Sequence, residues 1–157
     1  MQHRLLLVIL ACCAVVLPGS ATAMGKAFVM CSAWNARLIH PDGSPAAGVR
    51  LTRTWKWAWN GTTGSDSATT DADGRFRFPE ATASGFFAAL LPHESHIAQR
   101  VEADTPDGPI TIWRASKRDY DSNGELDGRP LDLVCTLTGE RMREGLFIST
   151  CVEADKP

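Results

Sequence analysis

Residues 35–55 read NARLIHPDGSPAAGVRLTRTW, and residues 67–80 read SATTDADGRFRFPE. Side chains on a β-strand alternate between two faces, so apolar residues at every second position mark a half-buried strand. Ala36 and Leu38 begin such a face, Val49 and Leu51 resume it, and Phe76 and Phe78 repeat it with Arg75 and Arg77 opposite. Between these runs stand Pro41-Asp42-Gly43 and Asp71-Ala72-Asp73-Gly74. Their prolines preset φ and their glycines permit positive φ, which reads as strand–turn–strand.

The same pattern extends in both directions. Residues 26–40 read as one long strand with Phe28, Met30, Trp34, Ala36 and Leu38 on one face. Residues 49–59 read as a second, 67–70 as a short third and 75–80 as a fourth. Beyond ATASGFFAALLPHESH at 81–96, which fits a short helix or a covering loop, come strand patterns at 97–103, 110–117, 131–138 and 146–153. About eight short strands with Gly, Pro, Asp and Asn between them, and no long helical period, predict an all-β sandwich.

The chain opens MQHRLLLVILACCAVVLPGSATAMG. Arg4, an apolar run from Leu5 to Leu17 and Ala21-Thr22-Ala23 have the form of a secretory signal peptide cut after Ala23. The run is short for a bilayer span, which needs about 20 apolar residues. A retained anchor and a lipoprotein cut before Cys12 are the alternatives. The expected organisation is a signal peptide at 1–23 and one domain at 24–157, working in a bacterial periplasm. The net charge of −2 and the absence of a basic run argue against nucleic acid as a partner. No second apolar stretch approaches membrane-spanning length.

Export makes disulfides persistent, and the mature cysteines are Cys31, Cys135 and Cys151. A hairpin centred near Arg143 sets Cys135 opposite Cys151, which predicts that bridge and leaves Cys31 free. A bridge from Cys31 to either partner stays open.

The motifs PDGSPAAGVRL and TTDADGRFRF, within residues 27–80, make the chain resemble a carboxypeptidase regulatory-like domain of the transthyretin-like superfamily. The resemblance implies a Greek-key sandwich of seven to eight strands, with 81–157 an extension that ends in a hairpin. It implies no particular activity. Intradiol dioxygenases, on a similar sandwich, hold iron with two Tyr and two His, but Tyr120 is the one tyrosine of this chain. The transthyretin-like hydroxyisourate hydrolases end Tyr-Arg-Gly-Ser, and this chain ends CVEADKP.

Three features stand out as candidate sites. Trp55, Trp57 and Trp59 share one strand face, which is either a core wall or a platform. Trp57 and Trp59 approach the turn signal Asn60-Gly61, so a strand end projecting past the sandwich would expose them to a glycan or a protein. Asp119, Asp121, Asn123 and Gly124 fit the start of a calcium loop, with Glu125 and Asp127 as further oxygen donors. The twelfth position is Pro130 rather than a bidentate Glu, so calcium would bind weakly at best. His93, Glu94 and His96 lack the i, i+4 spacing of a helical zinc site. The expected function is an exported, non-enzymatic binding domain for an envelope protein or glycan, with no required cofactor. The alternatives are a structural envelope module and a metal-assisted hydrolase using His93 and His96.

Overall fold

The structure, a computed structural model, describes residues 27–140, 142–144 and 147–154; the expected signal segment and its cleavage point lie outside the described residues. The described chain is all-β. Its strands are β1 (Ala27–Cys31), β2 (Trp34–Ile39), β3 (Arg50–Trp57), β4 (Thr63–Thr69), β5 (Arg75–Phe78), β6 (Ala81–Ser84), β7 (Ile97–Ala103), β8 (Ile110–Lys117), β9 (Leu131–Thr136), β10 (Met142–Glu144), β11 (Phe147–Ser149) and β12 (Cys151–Glu153). A five-residue helix, α1 (Phe86–Leu90), follows β6, and a 3-10 turn spans Gly124–Leu126.

Two sheets form the sandwich. One has six strands in the order β10-β11-β8-β7-β3-β4, the other four in the order β12-β9-β2-β5, and β1 pairs with β6 as a separate ribbon. Both sheets mix strands from early and late in the chain: β2 lies parallel to β9, and β3 antiparallel to β7. The main core lies between them. Leu51, Val101 and Ile112 come from the six-stranded sheet, and Trp34, Leu38, Phe76, Phe78 and Leu133 from the four-stranded one. Trp34 meets Phe78 and Trp113 edge-on, with centroids 6.0 and 5.1 Å away. Such pairs add about 0.5–1.5 kcal/mol each beyond area burial. A register shift between β7 and β8 at Val101–Glu102 lets Ile112 and Trp113 both enter the core despite being adjacent.

The Asp71–Gly74 turn forms as its residues dictate. Asp71 Oδ1 accepts the N–H groups of Asp73 and Arg75 at 2.9 and 2.8 Å. Gly74 has φ +75°, and a Cβ there would stand 2.3 Å from the Leu38 carbonyl oxygen, so only glycine fits.

Several expected elements divide. The strand expected at 26–40 is two strands, broken at Ser32–Ala33, and the one at 146–153 is also two, broken at Thr150. With β6 and β10, which form where no strand was expected, the count is twelve among the described residues rather than about eight. Cys135 and Cys151 are bonded and sit directly opposite each other, as expected, while Cys31 is free and buried. The segment between them is not a hairpin about Arg143. Instead β10 and β11 pair with each other and β11 joins β8 in the six-stranded sheet. The chain returns to the four-stranded sheet through Thr150, whose N–H donates to Ile112 O and whose carbonyl accepts from Thr136, at 2.9 and 3.0 Å. The bridge thus pins the point where the chain changes sheets.

Candidate functional site

The tryptophan stripe of β3 runs along the inner face past the end of the main core. Its residues build a second apolar cluster of Phe28, Met30, Trp57, Ala88 and Ile97, flanked by Trp55, Trp59, Ala83 and Tyr120. Trp57, expected at an open strand end, is fully buried. The reason is what covers it. The β1–β6 ribbon supplies Phe28, 5.3 Å from it by centroid, α1 supplies Ala88, and the loop after β8 supplies Tyr120 at 5.7 Å. Trp55 is half-buried over Gly64, its cross-strand partner, where a Cβ would stand 2.2 Å from the Trp55 ring. Trp59 is half-buried too, and His93 covers one of its sides with ring centroids 4.2 Å apart.

Hydrogen bonds tie this end together in one direction. Trp57 Nε1 donates to the Tyr120 hydroxyl at 2.9 Å. With the imidazole neutral, Tyr120 donates to His93 Nε2 at 2.5 Å, because His93 Nδ1 lies 2.9 Å from the Leu91 carbonyl, which only accepts. Burial raises the pKa of Tyr120 above its usual value, against a smaller opposing effect of the Trp57 bond. The phenol therefore stays protonated and acts as a clasp between three elements.

Between the two clusters lies a buried polar layer. Arg53, Gln99 and Lys117 take inner-face positions on β3, β7 and β8 and are almost wholly buried. Arg53 binds Asp66, its cross-strand neighbour, through Nε at 3.0 Å and a terminal nitrogen at 2.5 Å, and also reaches the carbonyls of Ser32 and Pro79. Glu125 enters this layer from the loop. Its carboxylate accepts Ser32 N–H at 3.0 Å, Ser32 O–H at 2.5 Å and Gln99 at 2.7 Å, and lies 3.7 Å from Lys117 Nζ.

That layer gives Asp119–Asp127 a different reading from a calcium loop. The cation where the loop oxygens converge is the Lys117 ammonium, bound to Asp121 O and 3.7 Å from Asp119 Oδ1. Glu125 points into the protein, and Asp127 is exposed with φ +53°. Gly124 is required because Asp119 folds over it, with Oδ1 1.9 Å from where a Cβ would be. Among the described residues, no three His, Cys, Asp or Glu side chains are gathered to hold a metal.

His93 and His96 are likewise not brought together. His96 lies on the outer face of the six-stranded sheet and shares a 3.1 Å hydrogen bond with Ser116 Oγ. Among the described residues, no carboxylate orients its other ring nitrogen. Cys31 sits beside Arg53 and Glu125, and burial pushes its thiol pKa up to about 12, which keeps it un-ionised and a poor nucleophile.

What the sequence reading missed is the outer side of α1. Ala88 faces inward, while Phe87, Leu90 and Leu91 are 67, 64 and 51% exposed. The helix has no side-chain cap and no acidic residue in its first turn, and five residues do not hold a helix alone. Packing on Trp57 therefore fixes it, and Gly85 permits the close approach: a Cβ there would stand 3.1 Å from the Trp57 ring. The signal was present in GFFAALLP, where four large apolar residues cannot all face one small core.

No helix among the described residues is long and apolar enough to cross a membrane. A family profile described as Domain of unknown function (DUF6795) matches residues 36–140, more than half of the chain. The chain belongs to that family. No curated protein and no solved structure matches it.

Proposed function

From that membership, which assigns no activity, we propose that the chain is an exported, non-enzymatic binding domain whose ligand is a protein, docked on the apolar ridge of α1. The carrying observation is the exposure of Phe87, Leu90 and Leu91 beside the half-buried Trp59. Exposed apolar side chains gathered on one element mark interaction sites. A protein suits this surface better than a glycan. Sugar rings need an open aromatic face, and Trp57 is buried while His93 covers Trp59. Aliphatic Leu90 and Leu91 instead fit an apolar pocket on a partner. Work in the periplasm is supported by the apolar run at 5–17, the Ala21-Thr22-Ala23 sequence and the Cys135–Cys151 bridge.

A transthyretin-like relationship is part of the same proposal. Its support is the strand layout: β2 and β5 pair in one sheet while the intervening β3–β4 hairpin lies in the other, and β9 returns beside β2.

The test is a photo-crosslinking residue at Leu90 in the exporting cell, with the same residue at Arg114 on the six-stranded sheet as control. The expected result is a discrete protein adduct from Leu90 only, whose identified partner rebinds in purified form and is lost with Leu90→Asp. Adducts equal at both positions, a dimer of this chain, or retention on envelope glycan without any protein adduct would contradict the proposal.

A further inference from the structure

We propose a second binding site, on the outer face of the four-stranded sheet, that takes an extended acidic peptide segment through Arg37, Arg75 and Arg77. The three guanidiniums line an open depression of about 790 Å³ across β2, β5 and β9, whose lining includes no residue of α1. Arg37 stands directly opposite Arg75, and Asn35 opposite Arg77. Like charges facing each other across a sheet repel, so this arrangement costs stability unless an anion lies between them.

Two of the arginines are held ready. Arg37 Nε donates to Asp73 O at 2.9 Å, and Arg77 Nε donates to Asn35 Oδ1 at 2.7 Å. Each Nε bond orients the planar fork, and no hydrogen bond to another described residue uses its terminal nitrogens. Among the described residues, none of the three arginines has a carboxylate within ion-pair distance. Two acids line the same depression. Asp71 is engaged by the N–H groups of its own turn, and Asp132, opposite Asn35, bounds the cationic strip on the β9 side.

The spacing identifies the ligand. Arg75 and Arg77 are two residues apart on one strand, hence about 6.8 Å apart on one face. An extended peptide with Asp or Glu at alternate positions presents carboxylates at the same interval, and Arg receives a carboxylate bidentately. β5 is the last strand of its sheet, so such a segment reaches the arginines without crossing another strand.

The experiment uses a labelled peptide of alternating Glu and Thr against the oxidised domain, read by fluorescence anisotropy at low and physiological salt, with amide NMR shifts as a second readout. Expected are binding that weakens with salt, shifts centred on Asn35, Arg37, Arg75 and Arg77, and about tenfold or greater loss of affinity in the Arg75→Gln, Arg77→Gln double variant. A peptide with the same Glu residues made contiguous should bind less well. Equal binding of the two peptides, no effect of the double variant, or tighter binding of polygalacturonate or inorganic phosphate than of the peptide would overturn the proposal. So would shifts centred on α1.

Discussion

The two apolar clusters share one strand face, yet they are closed in opposite ways. The main core is walled by two multi-stranded sheets and pinned at a sheet crossing by Cys135–Cys151. The second is roofed by a two-stranded ribbon, a five-residue helix and the loop that carries Tyr120. The inner faces of the two sheets supply the buried residues of the main core, with the edge strand β4 only partly covered. A roof assembled from short pieces buries Ala88 and leaves Phe87, Leu90 and Leu91 in solvent. On the proposed function, stability and recognition divide along β3, with the layer of Arg53, Gln99, Lys117 and Glu125 at the boundary.

The largest effect should come from the walled side. Trp34→Ala removes a buried ring that touches both sheets and should lower stability by about 3–5 kcal/mol in urea unfolding. Trp57→Ala should instead loosen the roof first, seen as faster amide exchange in β1, β6 and α1 with the main sheets still protected. Equal loss of protection in both regions would break the distinction.

The boundary layer comes next. Glu125→Ala leaves Lys117 buried with a weaker partner set and should cost about 3 kcal/mol. The Glu125→Leu, Lys117→Met pair removes both charges and should recover much of that loss. Reduction of the Cys135–Cys151 bridge should cost a similar amount, about 3 kcal/mol in the chain-entropy picture, and leave the roof's exchange pattern unchanged.

Alkaline pH gives a smaller and graded effect. With its pKa pushed up from 9.0 to about 12, Cys31 keeps its proton in the folded protein where the unfolded chain has lost it. Its contribution is complete below pH 9 and is lost as pH rises toward 12, with a slope of at most about 1.4 kcal/mol per pH unit. Cys31→Ala should flatten the fall, measured by urea unfolding on either side of that window. Tyr120, also shifted upward, acts in the same direction above its ordinary value of 10.0.

The parts of the molecule differ in how legible they were. Alternation and turn residues reveal most of the strands and the Asp71–Gly74 turn, whereas the expected Cys135–Cys151 pairing holds through the return of β12 beside β9 rather than through a hairpin about Arg143. The sheet changes do not follow from local spacing. From Phe28 to Leu38 every even-numbered residue is buried, through the break at Ser32–Ala33, so the alternation continues while the chain passes from the ribbon to the main sheet. Trp57 was unreadable for a related reason. Its cover includes Tyr120, which is 63 residues away in sequence. The ammonium beside the Asp119–Asp127 loop, Lys117, belongs to the preceding strand, and the partner of buried Arg53, Asp66, comes from β4, so neither pairing is legible from the local pattern.

The smallest stability effect carries the most weight. In the Phe87→Asp, Leu90→Asp double variant, urea unfolding and affinity for the crosslinked partner should be measured side by side. Division of labour along β3 predicts an unfolding free energy within about 0.5 kcal/mol per substitution of the parent, and binding weakened at least about tenfold. Unchanged binding with a clear loss of stability would contradict it, and would return the α1 ridge to the core.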